Sequence, residues 1–259
     1  VSPATYFGKK FRVRLSYPSD VITLASYDST VANAYIDYRR KPVYPNTRVE
    51  VRAQGTNQIA LKIGDIPYTL STFSFSAPAV EITSWTRIPE WDTTKKYNDN
   101  VFRDTIEIIN ENGKLVVVNH LPMEWYLKGL GEVSNGDFAE KIKTIVVAAR
   151  GYATYYMDPS HRKYNTNRYD GSDDPDSFQK YLGYSYELRS PNVAKLVDAT
   201  RNEKIYYNGE LIKPWYFSRS NGRTLSYQEY CSSSGNKNCE SIPYLQSVDD
   251  PAGNGLTRS

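Results

Sequence analysis

The stretch "GLGEVSNGDFAEKIKTIVVAARGYATYY", residues 129–156, marks where the chain changes from strands to helices, and it carries the most informative acid. From Asp137 onward the apolar residues recur at helical spacing. Phe138, Ile142, Ile145, Val146, Ala149, Tyr152, Ala153 and Tyr156 share one face. Asp137 and Glu140 have the spacing of a capping box, and Asp158-Pro159 stops the helix. Arg150 falls roughly 100° from the centre of the stripe, at the edge of the buried face, from which it can reach sideways. Ahead of the helix stands Glu132, directly after Gly131. A glycine there lets backbone approach a ligand closely, and the surrounding aromatic residues lower the local dielectric. A carboxyl so placed can have its pKa raised and serve as a general acid. A solvated loop glutamate is the plainer reading of the same residues.

Just upstream, "LPMEWYLKGLG" sets Pro122 at a helix start and Gly129 and Gly131 at its end. Before that, "TIEIINENGKLVVV" reads as a hairpin around the turn residues "NENG". Residues 1 to about 105 read as strands: "KKFRVRLSY", "VITLASY", "NAYIDY", "TRVEVRAQ", "QIALKI" and "AVEITSW" are short, β-branched or alternating. No helix and no catalytic constellation is expected among them, and the polar "TRIPEWDTTKKYNDN" (86–100) reads as a connecting loop. Downstream, "SPNVAKLVDAT" predicts a third helix with Ser190 as cap and Pro191 at its first position. "KIYYNGELIKPWYF" predicts a hairpin with an Asn-Gly turn, and the rest is loop-rich. The fold class is therefore α+β: an antiparallel β-rich N-terminal part packed, without a flexible linker, on a helix-plus-hairpin part. The expected boundaries are 1–100, 101–250 and a tail at 251–259.

A chain of 259 residues can bury roughly three-quarters of its unfolded surface, so it needs no staple to hold a core. The net charge of +3 is diffuse, and the densest basic run is "RRK" at 39–41. That argues against nucleic acid as a partner, because such binders cluster their cations on one face. With two His, two Cys and two Met, a dedicated His/Cys metal site is not expected. His120 and His161 have no triad partners in view. Asp170, Asp173, Asp174 and Asp176 bunch oxygen ligands that could take calcium, but the spacing fits no EF-hand and a solvated loop is the plainer reading. No apolar stretch approaches a membrane span, and no signal peptide is visible. The first residue is Val1, which suggests a fragment or a processed form. Cys231 and Cys239 bracket "CSSSGNKNC"; in an oxidising compartment they would pair, and otherwise they stay as free thiols.

The sequence resembles the stage II sporulation protein D family (SpoIID, with its relative LytB) over about residues 101–250. The resemblance rests on five motifs in order: "IEIINENGKLVVVNHLPMEWYLKGLGE", "KTIVVAARGYATYY", "YDGSDDPDSFQKYLG", "VDATRNEKIYYNGELIKPWYFSRSNGRT" and "IPYLQSVDDP". It implies a lytic transglycosylase that cleaves peptidoglycan glycan strands. The family's catalytic glutamate stands eighteen residues before the Arg of its "AAR" motif, which here falls on Glu132. Gln179 and Tyr181 match "Q-x-Y-x-G" and could line the glycan groove, although tyrosine also serves as core. Ser218, Arg223 and Thr224 lie in the loop that faces the groove by family analogy, with a plain turn as the alternative. Arg150 would orient Glu132 or hold a substrate carboxylate or acetamido group; a structural salt bridge is the other reading.

This chain departs from the family pattern in several places. The loop ahead of Glu132 is about two residues shorter, Val133-Ser134 stand for Met-Pro, and Asn221 stands for a glycine. The region "RYDGSDDPDSFQKYLG" lacks the Cys and His that bind zinc in some relatives, so no metal and no cofactor is expected. The resemblance further implies a location outside the cytoplasm, in the cell envelope or secreted. The implied partners are glycan strands and other cell-wall enzymes. Two other functions stay open: a non-catalytic, amidase-enhancing wall module, and a hydrolase using a second carboxylate from 170–176.

Overall fold

The computed structural model describes residues 10–17, 19–217 and 220–250. Alternation of apolar and polar side chains builds its sheet. In β1 (Phe11–Leu15), Phe11, Val13 and Leu15 are buried, while Arg12 and Arg14 take the other face. β2 (Val21–Ser26), β5 (Val49–Gln54) and β6 (Gln58–Ile63) repeat the pattern. Two strands of the N-terminal part lie outside the segments expected from sequence, β4 (Arg39–Val43) and β7 (Ile66–Leu70). Both carry a proline and sit at margins: β4 pairs with β3 (Ala32–Ile36) alone, and β7 closes one end of the sheet. Such strands are recruited by a neighbour's free edge rather than by their own apolar pattern.

The long strands β8 (Thr72–Ile82), β9 (Val101–Glu111) and β10 (Lys114–Leu121) form the centre. The order is β11-β1-β10-β9-β8-β2-β5-β6-β7, with the β3–β4 hairpin added on β8. Every pairing is antiparallel except that of β1 with the short β11 (Gly171–Ser172). Pro78, which cannot donate to a ladder, sits where the β8–β9 register shifts between Ala77 and Ala79. The sheet curls until β5 and β6 meet β9 and β10. There the Asn110 amide donates to the carbonyls of Gln54 and Gly55. The curl buries β10 almost throughout, and one apolar cluster runs from the N-terminal strands into the helices. The sheet passes straight through residue 100, because β8 and β9 are neighbours and β1 lies on β10.

Five helices follow: α1 (Met123–Lys128), α2 (Ala139–Met157), α3 (Tyr184–Arg189), α4 (Pro191–Ala199) and α5 (Tyr227–Ser233). The α+β class holds. Both hairpin turns are as read: Asn112-Gly113 and Asn208-Gly209 carry the paired positive φ of a type I′ turn. The start of α2 is not. Asp137 accepts the Ser134 amide and pairs with Lys141 instead of capping, and Phe138 is 87% exposed. The apolar stripe outruns the core by one turn, so its first member meets solvent. α3 was not read because six residues between Gly183 and Pro191 are too few for periodicity to register. α5 falls in the stretch expected to be loop; there Ser226 and Glu229 form the reciprocal capping box whose spacing Asp137 and Glu140 share. Among the described residues no helix is long and apolar enough to cross a membrane.

Candidate active site

Glu132 is presented by a short ladder. α1 ends at Gly129, and residues 129–132 then run antiparallel to residues 180–182. Leu182 donates its amide to the Gly129 carbonyl at 2.8 Å, and Gly131 donates to the Lys180 carbonyl at 2.8 Å. The next rung is closed by a side chain: the Lys180 amide donates to Glu132 Oε1 at 2.7 Å. This close approach crowds both glycines. A Cβ on Gly129 would lie 2.6 Å from the Tyr181 ring and 3.0 Å from the Gly183 carbonyl, and one on Gly131 would lie 2.6 Å from Leu182 Cδ1. On the far side Val133 is buried, and the Tyr186 hydroxyl donates to its carbonyl. Asn135 accepts the Asn192 amide at 2.8 Å and so ties the loop to the start of α4. The loop is built to present this acid.

The carboxyl is half-buried, and burial raises its pKa above the ordinary 4.5, against the pull of the Lys180 amide and ammonium. Its second oxygen accepts no hydrogen bond among the described residues. Behind it stand Tyr126 of α1 and Tyr216, joined through one amide. The Tyr126 hydroxyl donates to Gln179 Oε1 at 2.9 Å, and Gln179 Nε2 donates to the Tyr216 hydroxyl at 2.9 Å. Burial pushes both phenols upward, and the charge of Glu132 pushes them further, which sets all three in one neighbourhood. Both therefore stay protonated donors at ordinary pH. Neither tyrosine was singled out from sequence; the aromatic "KPWYF" was the only signal for Tyr216.

Comparison with known proteins bears on this part of the chain. Residues 111–207 match the family model described as SpoIID, stage II sporulation protein. They include Glu132 and both halves of its ladder. This region belongs to the SpoIID family. The chain is also 29% identical over 145 residues to the stage II sporulation protein D of Bacillus subtilis strain 168, across 52% of this chain and 40% of that protein. An uncharacterised protein of Brachyspira hyodysenteriae is 32% identical over 147 residues, across 56% of this chain and 36% of that one. The match therefore spans about two-fifths of the length of these relatives or less.

Within the SpoIID region, three residues expected to touch substrate serve the scaffold instead. Arg150 is fully buried. Its Nε and Nη2 grip Glu124 Oε1 and Oε2 at 3.0 and 2.8 Å, and Nη1 reaches the Glu203 carbonyl at 3.0 Å. The helical wheel set it at an edge, but α1, the end of α4 and the 200–203 turn cover that edge, so the salt bridge is what forms. Gln179 is 1% exposed and spends its amide on the two tyrosines. Tyr181 is also 1% exposed; its ring lies between Phe102 and Tyr126, and its hydroxyl donates to Asn119 at 2.8 Å. Both are buried on either side of Lys180, whose amide holds Glu132.

Beyond the SpoIID match, Ser218 lies outside the described residues. Arg223 pairs with Glu229 at 2.9 Å, and Thr224 exchanges hydrogen bonds with Val248 at 2.9 Å, so both sit in a short ladder with the 245–250 segment. The acidic cluster is dispersed by its partners. Asp170 meets the Arg12 guanidinium, Asp173 meets Arg87 and Ser16, and Asp174 accepts the Asp176 amide. Burial raises Asp173 despite the nearby Arg87. His120 is buried against Glu107 at 2.8 Å, and His161 stacks on Tyr155. Cys231 and Cys239 are joined in a disulfide. A cleft of about 510 Å³ opens between β2, β5 and the β3–β4 hairpin, and no residue that holds Glu132 lines it.

Proposed function

We propose that the protein acts on the bacterial cell wall as a lytic transglycosylase, cutting the MurNAc–GlcNAc bond of peptidoglycan with Glu132 as acid and then base. The observation that carries this reading is a single half-buried carboxyl, fixed through one oxygen by a backbone amide and raised in pKa by its surroundings. A raised pKa extends the range over which the carboxyl keeps its proton, as a general acid requires. The anchored Oε1 leaves the other oxygen to meet the glycosidic bond. Glu132 gives its proton to the glycosidic oxygen as the C1–O bond breaks. The sugar's own C6 hydroxyl then closes on C1, and its proton returns to the carboxylate. The product ends in 1,6-anhydro-MurNAc, no water is consumed, and one acid suffices.

A hydrolase would need a second carboxylate a few ångströms across the scissile bond, roughly 5–9.5 Å from the first. Of the acids at 170–176, Asp170, Asp173 and Asp174 support that reading poorly, because they are occupied by Arg12, Arg87, Ser16 and a backbone amide. The family name of the matched region and the location it suggests agree with a wall substrate outside the cytoplasm. Digestion of purified glycan strands in heavy-oxygen water, followed by mass spectrometry, tests the proposal. Unlabelled anhydro ends are expected. Heavy oxygen at the new ends would replace transglycosylation with hydrolysis, and uncut strands that still bind would point to the enhancer module.

A further inference from the structure

The chain gathers two ammonium groups around one set of rings on α2 and its neighbours. Lys163, in the loop after the short helical turn Pro159–His161, places its Nζ 5.7 Å from the ring centres of Tyr152, Tyr156 and Phe178. It also donates to the Tyr152 hydroxyl at 3.1 Å. Lys213, fifty residues later, places its Nζ 5.7 Å from Tyr155 and Trp215 and 5.9 Å from the same Tyr156. Two cations thus share one ring. No carboxylate among the described residues pairs with either. Asp158 is engaged by Ser160, Asp170 by Arg12 and Asp174 by the Asp176 amide, and Glu210, three residues before Lys213, makes no ion pair with it. Lys213 is held below its ordinary pKa, first by burial and then by the charge of Lys163.

Like charges brought together without a counter-ion destabilise one another, and an anion placed between them removes that cost. The rings are the second half of the feature. Tyr152, Tyr155 and Tyr156 are half-buried, and Trp215 is exposed, so flat apolar faces flank the charges. A pyranose presents such a face through its C–H bonds, while a free small anion needs none. The feature is also linked to Glu132 along the chain through consecutive residues. Phe178 lies against Lys163, Gln179 fixes the two phenols, and the Lys180 amide holds Glu132.

We propose that Lys163 and Lys213, with Tyr156 between them, form a subsite for a carboxylate carried on a sugar of the glycan strand, outside the bond that Glu132 cleaves. The proposal rests on the glycan reading above. Two sources supply such a carboxylate: the lactyl group of a muramic sugar without its peptide, and the acids of an attached peptide.

The test measures binding, in a Glu132→Gln background so that no strand is cut. The strands are peptide-free, peptide-bearing, or peptide-free with the lactyl carboxyl reduced to an alcohol. The double variant Lys163→Gln/Lys213→Gln should bind carboxylate-bearing strands about tenfold or more weakly, with the difference shrinking in high salt. The reduced strand should bind both proteins alike, and Lys163→Arg/Lys213→Arg should restore affinity. Loss on the peptide-free strand identifies the lactyl group, and loss on the peptide-bearing strand alone identifies the peptide. Equal affinity of the double variant and its parent for every strand overturns the subsite. So does a failure of the parent to bind any strand, which removes the glycan reading as well. Binding that depends on the lysines, with no cleavage by the Glu132 protein, retains the subsite and removes only the catalytic reading.

Discussion

Glu132 holds a position that is poor for stability and useful for chemistry. Burial disfavours its ionised form, so the folded state holds the proton more tightly than the unfolded chain does. The sign of the linkage follows. The stability associated with Glu132 is complete below the ordinary carboxyl value of 4.5 and declines as pH rises through the higher folded value. Glutamine in its place carries no charge to bury and can still accept the Lys180 amide. Glu132→Gln should therefore melt at or above the wild-type temperature at pH 7, and this advantage should vanish below about pH 4. Turnover of glycan strands should fall by about 10²–10⁴ in the same variant. Thermal melts across pH, beside a product assay, separate the two effects. A variant that is both less stable and inactive would mean that the side chain is structural. The resemblance singled out this residue but not its setting: the family's eighteen-residue spacing to Arg150 falls on Glu132, whereas nothing in the sequence showed that a backbone amide from residue 180 would hold it.

At the level of elements, the site depends on how closely the 129–132 segment meets residues 180–183 and on what locks α1 to α2. Both glycines of that segment are crowded, but against different neighbours. Gly129 faces a tyrosine ring packed on both sides and a backbone carbonyl, neither of which can yield. Gly131 faces the end of the Leu182 side chain, which can turn away. Gly129→Ala should therefore cost about 1–3 kcal/mol and displace Glu132, and Gly131→Ala should cost less. Denaturant unfolding gives the two costs, and the reverse order would mean that the ladder is not the rigid part. Arg150 supports a second comparison. Removing it alone, as Arg150→Met, strands Glu124 in the interior and should cost about 3–5 kcal/mol. Adding Glu124→Leu should recover part of that loss, but not all of it, because the Glu203 and Val197 carbonyls still lose their donor. A double variant no better than the single one would show that those carbonyls, not the ion pair, set the cost. Periodicity placed Arg150 within one helical step of its true direction. What it could not supply was the identity of the elements that cover the helix edge, since a single helix pattern carries no information about its neighbours.

Across the whole molecule, burial is unequal, and the last thirty described residues are the least buried. The strands between β1 and β10 and the helices α1–α4 contribute to one apolar cluster, whereas within 220–250 Cys231 alone is fully buried. That segment is held by a few discrete contacts: the rungs to Val248 and Leu245, the Ser226–Glu229 capping box, Trp215 edge-on to Tyr227 and Tyr230, and the Cys231–Cys239 bond. The sequence showed the turn-rich composition behind this looseness and the two cysteines. It did not show the curl of the sheet, which brings Asn110 to Gln54 and Gly55, or the reach of β1 across to β10, which pairs Phe11 with Leu121. A disulfide closing so short a loop stabilises by roughly 2–3 kcal/mol on the chain-entropy model. With so little burial around it, that contribution should act locally. Reduction, or Cys231→Ser, should raise hydrogen exchange and proteolysis within 220–250 while the main melting transition moves little. Intact-mass measurement should find two alkylatable thiols only after reduction. The segment begins four residues after Tyr216, so its loosening should also free that phenol and weaken strand binding by severalfold at unchanged global stability. A fall of the main transition by several degrees on reduction would contradict this, and would mean that the C-terminal segment is integral to the core.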